Sequence, residues 1–299
     1  MLWLYITIAA YLLFALANIG DKLVVSKFKT APIAYAFYVG ILGVVAVILL
    51  PFGVKWINFN LLVISFFAGV AFIMAAFFMY KALAQGEASR AITLLGSSSP
   101  IFTFLLSAGI LQEKLNDEEL ISFGILVLAI ILLSQHKPDG KKTKIHWELI
   151  IWALLAGLFF SINYVLTKFL FYQETFVTVF FWTRIGGVLT ALFIFGLAKT
   201  RKIIKKDWQR PKKQKGLLVF GIQLVGGLGV IFQSYALNLA SATLVNALQA
   251  IQYALVFIMA IFLGKKIPEL KENLAKREII IKIIAIILVA IGLYILTSQ

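Results

Sequence analysis

Long apolar blocks separated by short charged patches dominate this chain of 299 residues. A helix needs roughly 20 apolar residues to cross the hydrocarbon layer of a membrane, and most of the blocks are about that long. Only 14% of the residues are charged, whereas soluble domains carry about a quarter. These charged residues provide too little polar surface to cover a domain that is exposed to water. The pattern therefore predicts an all-α integral membrane protein.

Ten of these blocks are interpreted as membrane-spanning helices. The predicted spans are residues 2–19, 31–54, 61–80, 91–111, 120–134, 147–166, 175–198, 217–239, 243–263 and 279–296. The fifth block is short, but Asn116 and Glu119 have the spacing of a capping box, which predicts that this helix starts earlier. Few residues separate the third span from the fourth, or the eighth from the ninth, so each pair is predicted to form a tight helical hairpin.

A polar connector, residues 135–146, divides the chain almost in half, with five predicted spans on each side. Because five is an odd number, the second half enters the membrane in the opposite sense to the first. Two halves of opposite orientation form an inverted repeat, which is the architecture of many secondary transporters. The predicted domains are therefore two five-helix repeats, residues 1–134 and 147–299, joined by this connector.

The basic residues are distributed unevenly between the two sides of the predicted membrane. Of the 28 lysines and arginines, 24 fall in the odd-numbered connectors and their flanking helix ends, and the largest cluster lies in residues 199–215. Basic connectors stay in the cytoplasm, so this count predicts that both termini lie outside. The same placement suits anionic lipid head groups and accounts for the net charge of +15, so no nucleic-acid partner is expected.

Arg184 lies near the middle of the seventh predicted span, where a charge is energetically costly and marks a functional candidate. No acidic residue lies within the core of any predicted span to neutralise it. An acid at a helix end, backbone carbonyls, or the anionic group of a substrate can all serve as its partner. The last alternative makes Arg184 a candidate substrate-binding residue, whereas the first two are structural.

Polar residues follow one face of the ninth predicted span and one face of the fourth. The ninth span carries Asn246, Gln249 and Tyr253, with Gln252 beside them. Several amides in one span are costly in lipid and predict a wet cavity that binds substrate. The fourth span carries a stripe of small and hydroxyl residues that is more typical of helix packing: Gly96, Ser99, Thr103 and Ser107.

Further candidates lie on other spans. Asn163 and Gln233 are expected to hydrogen-bond the substrate. Tyr38 and Trp182 are expected to stack on a flat part of it. The first and sixth spans end in polar residues at corresponding positions, which predicts a pair of gates or rim contacts formed by Asn18, Asp21, Lys22 and Lys168. The alternative for the two lysines is anchoring at the membrane interface.

Nothing in the sequence indicates an enzyme. Cysteine is absent, and the two histidines, His136 and His146, fall in the polar connector without nearby paired carboxylates. The chain contains no nucleophile elbow, no phosphate-binding Walker loop and no metalloprotease motif. We therefore expect no catalytic residues, no metal and no cofactor.

Several short motifs resemble those of the EamA-type transporters of the drug/metabolite transporter superfamily. Each half has an Ala-Leu pair near its helical hairpin, in Tyr80-Lys81-Ala82-Leu83 and in Ser234-Tyr235-Ala236-Leu237. Arg184 matches an arginine in the second helix of a repeat. The segment Gln112-Glu113-Lys114-Leu115 resembles the family's Gly-Glu-Arg-hydrophobic end of the fourth helix. Together with the ten spans, the resemblance covers the whole chain.

Two positions depart from the family pattern. Tyr38 stands in the first half where an arginine is expected, and Gly264-Lys265-Lys266 stands in the second half where an acid is expected. The resemblance implies alternating-access transport of small metabolites, often export of amino acids or related compounds. It also implies a cavity lined by helices one, three and four and by helices six, eight and nine. It implies cytoplasmic termini, opposite to the orientation that the basic residues predict.

These observations predict a secondary transporter of the cell membrane that moves a small anionic or zwitterionic metabolite. Its expected partners are that small molecule and membrane lipid. A lipid-binding or lipid-flipping protein and a non-transporting scaffold are the alternatives. A cavity open sideways to the bilayer would favour the first alternative, and a dry bundle core would favour the second.

Overall fold

Inside a membrane every backbone N–H and C=O group has to be hydrogen-bonded within the protein, which restricts spanning segments to helices or closed barrels. The computed structural model describes residues 2–28, 30–84, 88–134, 147–209, 213–264 and 276–298. Within these ranges the secondary structure is helical and includes no strand. The α-helices are α1 (Leu2–Phe28), α2 (Pro32–Ile41), α3 (Phe59–Ala84), α4 (Ala88–Leu106), α5 (Asp117–Ser134), α6 (Trp147–Phe171), α7 (Phe176–Gly196), α8 (Ala198–Trp208), α9 (Lys213–Leu239), α10 (Ala242–Ala247), α11 (Gln249–Leu263) and α12 (Lys276–Thr297).

Nine helical stretches of the described chain are long and apolar enough to cross a membrane, one for each predicted span except the fifth. The fifth predicted span corresponds to α5, which has 18 residues and carries Asp117, Glu118 and Glu119 in its first turn. The chain is therefore an all-α, multi-pass integral membrane protein. The count of ten spans stays a prediction.

Large apolar side chains cover the outside of the bundle. Ile48, Phe193 and Tyr294 are 66%, 70% and 72% exposed, and each lies on a different spanning helix. Such a surface would associate or aggregate in water, but it is the expected outer surface of a protein that lipid surrounds.

The start of α5 confirms the predicted capping box. The backbone N–H of Asn116 donates to Glu119 Oε2 at 2.9 Å, and the N–H of Glu119 donates to Asn116 Oδ1 at 2.8 Å. These two bonds satisfy N–H groups that a helix start otherwise leaves free. The helix consequently begins at Asp117, three residues before the apolar block.

The structure differs from the predicted organisation in four places. The ninth span is broken into α10 and α11 at Leu248, whose carbonyl accepts from Ile251 N at 3.0 Å. The second span continues beyond α2 as a 3-10 helix, Leu42–Phe52, and α4 ends in a π-helical turn, Ser107–Leu111. The basic connector after the seventh span contains α8, whose short, charged sequence gives no spanning signal.

The helices pack crosswise between the two predicted halves. The first helix, α1, packs against α9, and the sixth spanning helix, α6, packs against α3. The first spanning helix of each half therefore packs against the third spanning helix of the other half. A two-fold relation in the membrane plane between the halves would produce this arrangement.

One of the closest approaches in the bundle lies between α3 and α7 and depends on glycine. A Cβ atom built on Gly69 of α3 would lie 2.3 Å from Gly187 N and 2.5 Å from Gly186 C on α7. Both are backbone atoms that have no side-chain freedom with which to move away. Gly69 therefore sets the distance between these two helices, as small residues do at helix contacts in membranes.

Candidate functional site

The polar faces of the fourth and ninth predicted spans meet in the bundle. Asn246 on α10 is 1% exposed, and its Nδ2 donates to Ser99 Oγ at 3.0 Å and to Thr103 Oγ1 at 2.5 Å. The hydroxyl stripe was expected to serve helix packing, and it does so here by bonding the amide stripe. The two stripes therefore form one polar contact between α4 and α10.

Two polar residues of α6 extend this contact. Ser161 Oγ lies 2.8 Å from the backbone oxygen of Ser99. Asn163 Nδ2 donates to the backbone oxygen of Ala68 on α3 at 2.9 Å. The backbone oxygen of a helical residue already accepts one hydrogen bond, so the Asn163 amide donates to the second lone pair of the Ala68 oxygen. These contacts bring α3, α4, α6 and α10 together around buried polar groups.

Phenol and amide groups connect α1 and α9 to the same polar region. Gln233 Nε2 lies 3.2 Å from the hydroxyl oxygens of both Tyr11 and Tyr164, and the Tyr11 hydroxyl donates to the backbone oxygen of Val245 at 2.7 Å. Tyr253 on α11 lies against α4, because a Cβ atom built on Gly96 would be 2.2 Å from its ring. All six helices that the family resemblance implied therefore contribute polar groups to one region.

The carbonyl ends of three amides in this region lack partners. Within the described residues, Asn246 Oδ1, Gln249 Oε1 and Gln252 Oε1 are buried and accept no hydrogen bond. Exchanging the oxygen and nitrogen of Asn246 would only leave the nitrogen unpaired instead. A buried polar atom without a partner is destabilising by about 1–3 kcal/mol. Three of them on one span mark a place that a hydrogen-bonding solute or water satisfies.

Arg184 is surrounded by aromatic rings. Its guanidinium carbon lies 4.4 Å from the centre of the Phe72 ring and 5.3 Å from that of Phe180. Its Nε has no partner, and no carboxylate or backbone carbonyl in the described ranges hydrogen-bonds the side chain. The two structural partners that the sequence allows for Arg184 are an acid at a helix end and backbone carbonyls. Neither hydrogen-bonds it within the described residues.

A line of rings connects Arg184 with the phenol and amide groups. Phe72 packs edge-on against Phe160 at 6.3 Å, and Phe160 stacks on Tyr164 at 6.3 Å. Tyr164 is the residue whose phenol lies beside Gln233. Arg184 therefore lies beside the polar region without being hydrogen-bonded into it.

Both predicted stacking residues, Tyr38 and Trp182, lie elsewhere. The Tyr38 hydroxyl donates to Asp207 Oδ2 on α8 at 3.1 Å. The indole N–H of Trp182 donates to the backbone oxygen of Lys55 at 3.0 Å, and its ring lies 5.1 Å from Trp56 in the connector before α3. The structure therefore does not bring these two rings to the central amides.

The four predicted rim residues fall at the two ends of the bundle. Lys168 donates from Nζ to Leu237 O at 3.0 Å, at the last turn of α9. Gly20, which precedes Asp21 and Lys22, instead packs against Ile222 near the first turns of α9. Fifteen residues of helix separate these levels by about 22 Å. Asn18 and Lys22 are half-buried, and Asp21 and Lys168 are buried.

Glu113 was named in the sequence analysis only within the segment that resembles the family's end of the fourth helix, and the structure gives it a role in the site. Its carboxylate accepts from Ser241 Oγ at 3.0 Å, from Ala242 N at 3.1 Å and from Thr243 Oγ1 at 3.3 Å. It therefore caps the N-terminus of α10 from the segment after α4, where a negative charge is favourable. The pKa of Tyr172 is raised, first by desolvation and then by the negative charge of Glu113, which places this carboxylate beside the end of α6.

Replacing Glu113 with glutamine is expected to lower the melting temperature of the detergent-purified protein. The substitution removes a charge-assisted cap, and such caps stabilise by about 0.5–2 kcal/mol. Glu118→Gln is the matched control, because Glu118 is exposed in the first turn of α5. Equal melting temperatures for the two variants would show that the cap contributes nothing to stability.

Residues 1–135 and 147–298 match the model of the EamA-like transporter family. A curated uncharacterized transporter of Helicobacter pylori (strain J99) is 26% identical over 184 residues, which cover 61% of this chain and 59% of that protein. The uncharacterized transporter YxxF of Bacillus subtilis (strain 168) is 28% identical over 117 residues, 39% of this chain and 37% of that protein. The aligned part thus spans less than two thirds of either relative.

A solved structure titled "Crystal structure of protein" has the same fold. Its TM-score is 0.66 at 18% sequence identity, and the alignment covers 98% of this chain and 96% of that one. Identity at this level supports the helical architecture alone.

Proposed function

Because this chain belongs to the EamA-like transporter family, we propose that it is a secondary transporter that moves a small metabolite across the membrane by alternating access. The observation that carries the proposal is the buried polar region, in which Asn246, Gln249 and Gln252 present unpartnered carbonyl oxygens. A bundle that served only as a scaffold would satisfy such groups from neighbouring helices. A solute with N–H or O–H donors would satisfy them here.

The proposed substrate is an amino acid or a related anionic or zwitterionic compound. Amide oxygens suit the ammonium or hydroxyl donors of such a molecule, and a guanidinium binds its carboxylate through two parallel hydrogen bonds. Arg184 is buried beside the polar region and lacks an anionic partner among the described residues. Export, as opposed to uptake, is proposed from the family resemblance alone.

The break between α10 and α11 supports alternating access. It is a single tight turn at Leu248, which keeps a right-handed helical conformation, and it falls between Asn246 and Gln249, where the unpartnered amides lie. Irregular turns in helices near the centre of the membrane are common at the substrate sites of transporters.

The test is counterflow in proteoliposomes made with the full chain. Vesicles loaded with unlabelled compound would be diluted into the labelled one, using amino acids, organic acids, sugar phosphates and nucleosides in turn. We expect counterflow of a carboxylate-bearing compound, reduced roughly 3- to 10-fold in Gln249→Leu by loss of one hydrogen bond. Gln173→Leu, an exposed glutamine in the connector after α6, is the matched control. No counterflow of any compound above protein-free vesicles would reject the proposal.

A lipid substrate is the second candidate, and one observation favours it. An apolar groove of about 550 Å³ lies between α1 and α9, lined by Leu16, Ala17, Leu217, Leu218, Gly221, Ile222 and Val225. Its size and lining suit an acyl chain of a membrane lipid. Faster exchange of a fluorescent phospholipid between leaflets, without counterflow of any soluble compound, would favour this function.

A further inference from the structure

Asp21 is a buried carboxyl group inside a membrane span. It lies in the span Leu2–Val24 and is 7% exposed. Ionisable groups in this position are costly, and they mark proton relays, ion pathways or paired charges. The surroundings of Asp21 distinguish between these roles.

Two phenols and one amide form the surroundings of this carboxyl group. The hydroxyl of Tyr35 on α2 donates to Asp21 Oδ1. The Tyr35 ring packs on Tyr80 of α3 at 4.3 Å, and the side chain of Gln223 on α9 hydrogen-bonds both phenols. The titratable groups that face Asp21 from α2 and α3 are therefore neutral phenols, and α9 contributes an amide. Lys22, the next residue on α1, is half-buried.

No positive charge in the described part of the chain is paired with Asp21. Its hydrogen bond comes from Tyr35, and neither lysine nor arginine of the described residues forms an ion pair with it. A metal ion is a poor fit, since no group of three or more His, Cys, Asp or Glu residues occurs in the described ranges. A single carboxylate in an apolar site is most simply neutralised by a proton.

The position of Asp21 links it to the central polar region. Asp21 and Tyr11 lie on α1, and Gln223 and Gln233 lie on α9. Each pair is separated by ten residues, or about 15 Å of helix. The α1–α9 interface therefore carries the carboxyl cluster at one end and the Tyr11–Gln233 contact at its centre. The two helices are in close contact beside Asp21, because a Cβ atom built on Gly20 would lie 2.3 Å from the Ile222 side chain.

We propose that Asp21 is the proton-binding site of a proton/substrate antiporter, an inference that rests on the transport function proposed above. The carboxylate takes a proton from water on one side and releases it to water on the other. The protonated form stabilises one packing of α1 on α9, and the ionised form stabilises the other. Substrate moves in the opposite direction because the two packings expose the central amides to opposite sides.

The first experiment measures protonation without any substrate. Infrared spectra of the full-length protein in detergent would be recorded across a pH series for the wild type, Asp21→Asn, Asp21→Glu and Asp207→Asn. Asp207 is the matched control, since it is also buried and accepts from a phenol of α2. We expect a titrating carboxyl C=O band that is lost in Asp21→Asn, shifted in Asp21→Glu and retained in Asp207→Asn. A band unchanged in Asp21→Asn would overturn the proposal.

The second experiment measures coupling in proteoliposomes, with a labelled amino acid that the wild type carries. One pH unit across the membrane corresponds to a roughly tenfold concentration ratio for one proton. We expect the wild type to accumulate the compound to about that ratio. Asp21→Asn should lose accumulation, together with the pH dependence of any counterflow that remains, and Asp21→Glu should regain part of both. Accumulation that persists in Asp21→Asn, or that follows a sodium gradient instead, would contradict proton coupling.

The two experiments separate the failure of this inference from the failure of the proposed function. Wild-type protein that moves no compound rejects transport, and coupling with it, whatever the infrared titration shows. Wild-type protein that exchanges an amino acid but ignores the pH gradient rejects proton coupling and leaves the transport function intact.

Discussion

Arg184→Gln is expected to reduce counterflow of carboxylate-bearing compounds roughly 100-fold, because two charge-assisted hydrogen bonds to the substrate are lost. The guanidinium is buried between Phe72 and Phe180 and has no described anionic partner, so a bound carboxylate would be its counter-charge. Initial rates at low substrate concentration give the effect most directly, since they report on binding and translocation together.

Two controls separate binding from folding in this experiment. Arg184→Lys keeps the charge and its contact with the rings but lacks the planar fork, so a smaller loss of about tenfold is expected. Counterflow of an amine that lacks a carboxylate should not fall in either variant. Full carboxylate transport by a folded Arg184→Gln protein would make Arg184 a structural residue held by its aromatic neighbours.

Gly69→Ala is expected to produce the largest loss of stability among single methyl additions. The new Cβ would lie within 2.6 Å of three backbone atoms of α7, from Gly187, Gly186 and Thr183. Because backbone atoms can move only with the whole helix, α3 and α7 would have to separate. Overpacking of this kind costs about 1–3 kcal/mol, and we expect an apparent melting temperature lower by about 5 °C.

Gly124→Ala is the matched control for this substitution. Gly124 lies on α5, and a Cβ atom there meets nothing within 4 Å. Alanine is a better helix former than glycine, so this variant should be as stable as the wild type or slightly more stable. Equal melting temperatures for the Gly69→Ala and Gly124→Ala proteins would show that α3 and α7 are not in close contact in the membrane.

The features that could be predicted from the sequence are those that depend on local composition. Apolar blocks gave nine of the spans because lipid solvation acts on each helix separately. The capping box at Asn116 and Glu119 was predictable because all of its atoms lie within one turn. The amide stripe of Asn246, Gln249 and Tyr253 was recognisable because its spacing follows one helix face.

The features that escaped prediction depend on contacts between distant segments. Tyr11 is one of many aromatic residues in the spans, and its role exists only because α9 brings Gln233 to its hydroxyl. Glu113 stands in a connector, and its role as a cap exists only because α10 begins beside it. The break at Leu248 contains neither a glycine nor a proline from which it could be predicted. Asp21 was considered as a rim residue, and its burial follows from phenols on two other helices.

The crosswise packing of the halves has a consequence for biosynthesis. The partner of α1 is α9, which begins roughly 185 residues after α1 ends. At about 5–20 residues per second, a ribosome takes about 10 to 40 s to make that length. During this interval the Tyr11 hydroxyl has neither Gln233 nor the Val245 carbonyl to bond, so α1 lies in the membrane with this polar group unpaired. A chain interrupted before α9 would therefore leave this phenol inside the membrane without its partners.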